Sequence, residues 1–443
     1  MKVINIISKL NINDDFKISD EALTINLTNK KKYKYTFWNS NKNRNMLRLP
    51  NAFSNEGLDL LYISLIVYYA DRIIKREMFP DAWTRHIRLY IPVLSLDKWL
   101  PLKNHLVKLL SFLSGDKWEI EFRKRELNLL EKKFDKRKQK NKEGKLSFDK
   151  ICMLSGGLDS FIGAIDLLEK KENIAFIGHY GGGKGVISYQ NLLKEKLINH
   201  YSLSDSNFFN FYAAPVKPSK KAETEDTTRT RSFMFFSHAI VLASTQEKQT
   251  DLVIPENGLI SLNIPLTNSR LGSSSTRTTH PYYMRMLQEL FEKLGIPVKL
   301  VNPYQFKTKG EMIVESKNAA FLKQNIVNTM SCSHPDYGRY KGEKTSKHCG
   351  TCLPCLIRRA ALKKANYDVE ESNYRDKDFK LGEVAPKNLK TYKLGMAKFL
   401  KKSSISFLTI HKSGPIVDHF EDYASLYNRG MLEIKAVLDS IND

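Results

Sequence analysis

One six-residue turn, Ser155-Gly156-Gly157-Leu158-Asp159-Ser160, constrains the fold of this chain more than any other stretch. It follows an apolar, strand-like run at residues 150–154 and precedes an amphipathic helix predicted over residues 161–170. A strand that turns into a helix on two glycines gathers unpaired backbone N–H groups around one point, which the positive end of the helix dipole also faces. The sequence therefore predicts a phosphate-binding turn.

The residues of this turn have distinct expected roles. We expect Gly156 and Gly157 to adopt positive φ and let the backbone approach an anion, while Ser155 and Ser160 add hydroxyl donors. Asp159 would repel phosphate, so we expect it either to orient the loop or to hold Mg²⁺. The alternative is a Ser/Gly turn that binds no ligand. The complete SGGLDS string between a strand and a helix favours nucleotide binding.

Predicted strands and helices alternate from residue 148 to about residue 330. Strands are predicted over residues 174–178, 208–213 and 252–255, and helices over residues 186–200 and 231–246. Regular alternation of this kind predicts an α/β fold with a doubly wound parallel sheet. The ligand site of such a sheet lies at the carboxyl ends of its strands, where the polar loops of this chain also fall.

The flanking regions differ in composition from this unit. Residues 1–125 predict a separate α+β accessory domain, and residues 126–147 predict a Lys/Arg-rich linker that is either solvated or bound to a phosphate backbone. Residues 148–360 form the predicted nucleotide domain, and residues 361–443 predict a basic, helical C-terminal region. Asp71 and Arg72, near the end of an apolar helix in the first region, are interpreted as a salt bridge on a helix surface.

The charge of the chain limits its partners. The sequence holds 71 Lys and Arg against 48 Asp and Glu, a formal charge of +23 at pH 7. This excess favours nucleic acid, an acidic protein or an anionic substrate, although a Lys-rich composition also follows from nucleotide bias in a genome. The longest apolar stretch, residues 58–74, is too short and too charged to cross a bilayer, and the first residues lack a signal-peptide pattern. We therefore expect a cytoplasmic protein without membrane association.

Four of the five cysteines lie close together near residue 350: Cys332, Cys349, Cys352 and Cys355. Gaps of two residues let thiolates converge on one cation, and a more distant fourth thiolate closes a tetrahedron. Four thiolates leave no open coordination position, so the pattern predicts a structural Zn²⁺. An iron–sulfur cluster and unligated thiols are the alternatives. Cys152, within an apolar strand, is interpreted as a small core residue.

Three basic residues are candidates for the same edge of the predicted sheet. Arg231 begins a long predicted helix, Arg277 lies in a Ser/Thr-rich stretch, and Lys309 lies between a threonine and a glycine. Adenylyl or phosphoryl transfer needs fixed positive charge against the leaving pyrophosphate, so we interpret Arg231 and Lys309 as catalytic candidates, together with Asp159, and Arg277 as a nucleotide contact. The alternative for each cation is an ordinary surface charge.

The glycine turn after a strand resembles the pyrophosphate loop of the N-type ATP pyrophosphatases, the PP-loop superfamily with an adenine nucleotide alpha hydrolase-like fold. Together with the late cysteines and Arg358, it resembles the 7-cyano-7-deazaguanine synthase (QueC) family over residues 148–360. The resemblance implies that Ser155–Ser160 hold the phosphates of ATP with Mg²⁺, that Tyr180 and Gly181 lie at the nucleotide, and that the four cysteines hold zinc.

In that family a carboxylate on a 7-deazaguanine is adenylated, ammonia displaces AMP to give an amide, and a second activation gives a nitrile. This chain departs from the family where the base and the acceptor are read. A Tyr-Gly-Gln appears as Tyr180-Gly181-Gly182, an Arg-Asn appears as Arg231-Ser232, and an Asp-rich segment before a Cys-Arg-Pro appears replaced by Glu256-Asn257-Gly258 and Thr276-Arg277-Thr278. The resemblance therefore implies ATP use and leaves the product open.

The N-terminal domain and the C-terminal helices are additional to the short enzyme. This layout resembles longer QueC-like proteins of bacterial anti-phage defence operons, including the QatC type. We hypothesise that the additional parts recruit a macromolecule, such as an operon-encoded protein, whose amine replaces ammonia as the acyl acceptor. The alternatives are a tRNA- or DNA-base-modifying enzyme of the same superfamily, and a zinc-stabilised, non-catalytic protein that binds nucleic acid or a partner.

Overall fold

The structure, a computed structural model, describes residues 2–38, 44–181, 184–215, 224–264, 266, 277–338, 342–367, 374–401 and 406–441. The strands of this described part are β1 (Ile4–Lys9), β2 (Ala22–Asn26), β3 (Tyr33–Tyr35), β4 (His86–Val93), β5 (Lys117–Lys124), β6 (Lys150–Met153), β7 (Ile174–Tyr180), β8 (Phe208–Pro215), β9 (Thr250–Val253) and β10 (Val298–Val301).

The α-helices of the first part of the chain are α1 (Asn55–Ile73), α2 (Leu96–Trp99), α3 (Lys103–Ser114), α4 (Leu129–Gln139), α5 (Leu158–Leu168), α6 (Lys184–Tyr201) and α7 (Arg231–Ala243). Those of the second part are α8 (Gly258–Leu262), α9 (Pro281–Leu294), α10 (Lys309–Val314), α11 (Ala319–Asn325), α12 (Leu353–Lys364), α13 (Val384–Leu400), α14 (Ser406–Ile410) and α15 (Phe420–Leu438).

The larger sheet has six strands in the order β10-β9-β6-β7-β8-β3, and all neighbours are parallel except β3 and β8. From β6 the chain proceeds to one side through β7 and β8, and then returns to the other side of β6 for β9 and β10. Alternate side chains of β7 enter two different cores, Ala175 and Ile177 in one, Ile174 and Phe176 in the other. The predicted α/β fold with a parallel sheet is confirmed.

A second, four-stranded sheet has the order β2-β1-β4-β5 and is parallel throughout. The expectation of an α+β arrangement here is wrong, because the connections after β1, β2 and β4 are all crossovers that return each strand in the same direction. α1 is buried from Gly57 to Asp71 and packs on α7 and β8 of the larger sheet. One hydrophobic core therefore joins both sheets.

Many contacts cross the predicted domain boundaries at residues 125 and 147. β3, from the first region, pairs with β8, and α4, in the predicted linker, buries Phe134 against the core. Asp71 is buried and binds Arg85 at 2.5 Å, so its interpretation as part of a surface salt bridge is wrong. The division into domains at these positions stays a prediction about folding units.

The C-terminal helices pack against other helices of the chain. α15 and α13 share a hydrophobic core with α8 and α12. Glu433 of α15 accepts a hydrogen bond from the Thr308 hydroxyl at the start of α10, and Arg429 binds Glu311 at 2.7 Å. None of the helices in the described part of the chain is both long enough and apolar enough to cross a bilayer.

Candidate functional site at the sheet switch point

A cavity of about 260 Å³ opens where the chain reverses direction in the larger sheet, beyond the carboxyl ends of β6 and β9. Open α/β sheets bind ligands at this position because the loops of the two neighbouring strands diverge there. The cavity is lined by the whole Ser155–Ser160 turn and by Arg231, Glu256, Lys309, Ser331 and Cys332, among others. Residues from five separate parts of the chain thus meet around one opening.

The backbone of the turn is shaped by one glycine in particular. Gly156 has φ +88°, a left-handed conformation that favours glycine, and an added Cβ would lie 3.2 Å from the Gln190 side chain. Gly157 has φ −88° and caps α5, so the expectation of positive φ holds for Gly156 and is wrong for Gly157. The first intrahelical hydrogen bond of α5 runs from Phe161 N–H to Gly157 O, which leaves the preceding amides at the cavity end of the helix.

The serine hydroxyls hold the turn together. Ser160 Oγ donates to Gly157 O at 2.9 Å and accepts from Ser155 N–H at 3.2 Å. Gln190, buried on α6, donates to the Ser155 carbonyl at 3.2 Å and to the His179 carbonyl at 3.1 Å. These bonds fix the turn in a shape suited to receive an anion before any ligand arrives.

Asp159 is the centre of a buried polar cluster. Lys309 Nζ lies 2.6 Å from one oxygen of its carboxylate, and the other oxygen accepts from the side chain of Asn257 at 2.6 Å and from the Asn257 N–H at 3.1 Å. Burial alone would raise the pKa of Asp159, but the Lys309 ammonium and the hydrogen bonds from Glu256 and Asn257 lower it to about 2. Of its two expected roles, this geometry fits orienting the loop.

The pKa of Glu256 is shifted in the opposite direction to that of Asp159. Desolvation and the neighbouring Asp159 carboxylate hold the pKa of Glu256 well above its ordinary range, because two carboxylates in one site do not both ionise easily. Its side chain lines the cavity, and Asn302 donates to its backbone carbonyl at 2.9 Å. The cavity therefore presents one ionised carboxylate, one carboxyl group with a raised pKa and the cations of Lys309 and Arg231.

Arg231 is the first residue of α7, and its side chain is exposed at the cavity. The residue before it, Thr230, donates through both its N–H and its hydroxyl to Asp71, each at 2.9 Å. Asp71 is in turn bound to Arg85, whose guanidinium also contacts Asp116 at 2.6 Å. Asp71 of α1, supported by Arg85 and Asp116 directly before β4 and β5, thus holds the helix end that carries Arg231.

Three other predicted contacts do not line this cavity. Arg277 donates to the Phe112 carbonyl at 2.6 Å and stacks over the Phe112 ring at 4.6 Å, on the side of α3. Tyr180 ends β7 and packs edge-on against Tyr212, and Gly181 follows it. Gly182 and Thr276, which belong to the same predicted motifs, lie outside the described residues.

The four predicted cysteines converge. Their Sγ atoms all lie within 4.8 Å of one another, with Cys332 and Cys352 at 4.0 Å and Cys349 and Cys355 at 3.8 Å. A tetrahedral zinc with Zn–S bonds of about 2.3 Å needs sulfur separations of about 3.8 Å. Backbone N–H groups also point at the sulfurs, including Cys349 N–H to Cys332 Sγ at 3.3 Å. The cluster is compatible with zinc and leaves no position open for a substrate.

The cysteine loop is attached to the glycine turn. Met330 N–H donates to the Gly156 carbonyl at 2.8 Å, and Ser331 and Cys332 continue from there along the cavity wall. Arg358, fully buried on α12, donates to the Ile326 carbonyl and the Thr329 hydroxyl, both at 2.7 Å. A metal in the cysteine cluster would therefore stiffen one wall of the cavity.

Sequence reasoning missed several residues of the site. In the sequence, Asn257 and Glu256 stand out only as departures from a family pattern, although their place directly after a predicted strand is a signal for a site residue. Gln190 and Ser331 carry no local signal for this site, since one lies on the buried side of α6 with Leu193 and Leu197 and the other lies in a loop. Their positions follow from tertiary packing alone.

Residues 278–366 match the family model of queuosine biosynthesis protein QueC. The QueC-like stretch runs from just before α9 to just beyond α12 and contains Lys309, the four cysteines and Arg358. The Ser155–Ser160 turn lies outside it, and the match covers well under half of the chain. No curated protein matches this chain. The match supports the predicted QueC-like character for the late part of the chain.

Proposed function

We propose that the protein is an ATP-dependent ligase or synthase that adenylates the carboxylate of a 7-deazaguanine, such as 7-carboxy-7-deazaguanine, and transfers the acyl group to a nitrogen nucleophile. The observation that carries this proposal is the meeting of the Ser155–Ser160 turn with Lys309, from the QueC-like stretch, at the switch point of the sheet. The two regions are distant in sequence, yet Lys309 Nζ lies 2.6 Å from Asp159.

In this proposal the chain mainly binds and orients the reactants. The amides at the start of α5 would receive the ATP phosphates, and Lys309 and Arg231 would offset the charge that develops on leaving pyrophosphate. The substrate carboxylate attacks the α-phosphorus, the bond to pyrophosphate breaks, and the amine then displaces AMP from the acyl adenylate. Holding two reactants in line supplies much of the rate enhancement of such a step.

Mg²⁺ would accompany ATP into this site. Both carboxylate oxygens of Asp159 are already bound, one to Lys309 and one to Asn257. We therefore assign the protein carboxylate nearest the metal to Glu256, which lines the cavity and would ionise beside a divalent cation. Zinc belongs to the four cysteines, where it would support the wall that carries Ser331 and Cys332.

A base-thiolating enzyme of the same superfamily fits the chain less well. Such chemistry needs a reactive thiol, and Cys152 is fully buried in β6, where desolvation raises the pKa of its thiol. The other cysteines form the converged cluster. Ammonia and an amine of a partner protein in anti-phage defence remain the two acceptors that we propose for the acyl group.

The direct test supplies ATP, Mg²⁺, 7-carboxy-7-deazaguanine and an ammonium salt as the nitrogen nucleophile to the purified chain, and quantifies AMP and pyrophosphate. We expect equal amounts of both, dependent on the carboxylate. Lys309→Met should lower the rate by roughly 100-fold or more, as for other groups that stabilise developing charge. Lys307→Met, which removes a half-exposed lysine two residues earlier that binds Glu315, is the matched control and should leave the rate unchanged. Formation of ADP and phosphate, or turnover without the carboxylate, would contradict the proposal.

A further inference from the structure

α4 is fixed to the body of the protein by its inner side. The Asn128 side chain caps its first turn, accepting from Leu130 N–H at 2.9 Å and from Glu131 N–H at 3.1 Å. Glu131 is buried and binds Arg125 at 2.9 Å, while the Phe134 ring packs on Phe53 with centroids 5.1 Å apart. The helix is thus a rigid part of the surface rather than a free linker.

The outer side of α4 is uniformly basic. Five exposed side chains form what we name the α4 basic face: Lys132, Lys133, Lys136, Arg137 and Lys140. Their spacing of one, three and four residues places them on one side of the helix, over about 12 Å of its length. None of the five has an ion pair with a carboxylate in the described part of the chain.

The neighbouring acidic groups do not neutralise this face. Glu131 binds Arg125, and Glu143 binds Arg44. Asp135 is half-buried, and desolvation raises the pKa of its carboxyl group despite the opposing effect of Lys138. The helix dipole favours cations only in the last turn, whereas the positive charges begin at Lys132 in the first half. Like charges four residues apart, such as Lys132 and Lys136, repel each other, so helix stability does not explain the pattern.

The side chains of the face favour a nucleic acid over an acidic protein as its anionic partner. The centres of protein interfaces are depleted in lysine and enriched in aromatic side chains. From Lys132 to Lys140 the exposed side chains are the five cations and Gln139, and the exposed Leu129 precedes them in the first turn of the helix. Lysine and arginine without protein partners are what a phosphate backbone requires, since each phosphate contact releases condensed counterions. We propose that the α4 basic face binds the phosphate backbone of a nucleic acid.

The test measures binding of two fluorescently labelled probes, a duplex DNA and a single-stranded RNA, by anisotropy at several salt concentrations. A variant with all five residues of the face changed to Gln keeps helix propensity and exposure. We expect it to bind at least tenfold more weakly at low salt. We also expect the slope of log affinity against log salt to become shallower by about 4.5 with duplex DNA and by about 3.5 with single strands, if all five residues contact phosphate.

The matched control removes the same charge from elsewhere, by changing five exposed lysines to Gln: Lys108, Lys170, Lys293, Lys299 and Lys398. This control should bind like the parent chain, and loss confined to one probe would identify which nucleic acid is bound. Equal binding by the parent and the α4 variant, or equal losses in the α4 and control variants, would overturn the proposal. So would binding of polyglutamate at this face without binding of either nucleic acid. Circular dichroism checks that each variant remains folded.

Discussion

At the scale of single residues, the site is organised by two carboxyl groups that respond oppositely to the same surroundings. Asp159 faces Lys309 and Asn257 and has a lowered pKa, whereas Glu256 beside it has a raised pKa. A group with a lowered pKa stabilises the fold above its ordinary pKa of 3.8, and this contribution is lost as pH falls towards about 2. A group with a raised pKa stabilises the fold below its ordinary value of 4.5, and this contribution is lost as pH rises through the folded pKa.

Glu256→Gln should therefore stabilise the ligand-free protein at high pH relative to the parent chain. Glutamine cannot ionise, so the variant avoids the unfavourable charge that the parent acquires beside Asp159. The difference in unfolding free energy between variant and parent should grow from pH 4.5 to pH 8, by about 1.4 kcal/mol for each unit by which the pKa is raised. Thermal unfolding at both pH values measures it. Glu292→Gln, on the exposed side of α9, is the control and should show no such growth.

Several site residues were predictable because their signal is local. The Ser155–Ser160 turn and the cysteine spacing identify themselves in sequence, and Lys309 and Arg231 were found because they follow predicted strands. Asn257 was not identified as a site residue, since its importance arises only when the ends of β6 and β9 come together. Arg277 was predicted at the nucleotide, but the structure places its guanidinium on Phe112, a contact that sequence cannot show.

At the scale of elements, the start of α7 depends on the end of α1 in the N-terminal region. One carboxylate oxygen of Asp71 binds Arg85, and the other accepts a hydrogen bond from Thr230, the residue that caps α7. Asp116 is the second acidic partner of Arg85. Because all these groups are buried, the loss of one partner leaves a charge without compensation in a region that water does not reach.

Asp71→Asn should lower the free energy of unfolding by about 3–5 kcal/mol, the usual cost of breaking a buried ion pair. Urea denaturation measures this difference. The half-exposed pair of Arg88 and Glu119 provides the comparison, because Glu119→Gln should cost at most about 1 kcal/mol. Equal effects of the two substitutions would show that the buried network does not hold the helix end.

The sequence predicts that the helices exist more reliably than it predicts the residues at which they begin and end. Apolar spacing in the sequence predicts one helix over residues 96–113. The structure instead has α2 and α3, separated at residues 100–102, where Pro101 interrupts the hydrogen-bond pattern. α5 begins at Leu158, three residues earlier than predicted, since a glycine cap rather than the first apolar residue sets its start. Apolar spacing shows that a helix exists, and local backbone chemistry decides where it begins.

At the scale of the whole molecule, the cysteine cluster connects the QueC-like stretch to the glycine turn. Cys352→Ser should reduce bound zinc from one ion per chain towards none and lower the midpoint of thermal unfolding, because the loop from residue 330 to α12 would lose its anchor. Metal analysis of the purified chain measures this. Cys152→Ser is the control and should retain the full zinc content. Iron in place of zinc, or no metal in the parent chain, would contradict the assignment.

The overall arrangement was predictable only within its regular part. Strand–helix alternation from β6 to β9 indicates a parallel sheet, and the structure has one. The pairing of β3 with β8 was not predictable, because three residues of strand carry no signal for a partner far along the chain. The parallel pairing in the N-terminal sheet was not predictable for a related reason. The alternation of side chains in a short strand indicates that the strand exists, but not whether it runs parallel or antiparallel to its neighbours.

The pairing of β3 with β8 also limits the order of events during synthesis. Tyr33–Tyr35 leave the ribosome long before Ala213–Pro215, their antiparallel partners, have been translated. The nascent chain must therefore keep this early strand available while the intervening segments emerge, so the two halves cannot mature one after the other. A gene fragment that begins after the first region would also leave the edge of β8 uncovered, and an uncovered edge of this kind invites aggregation.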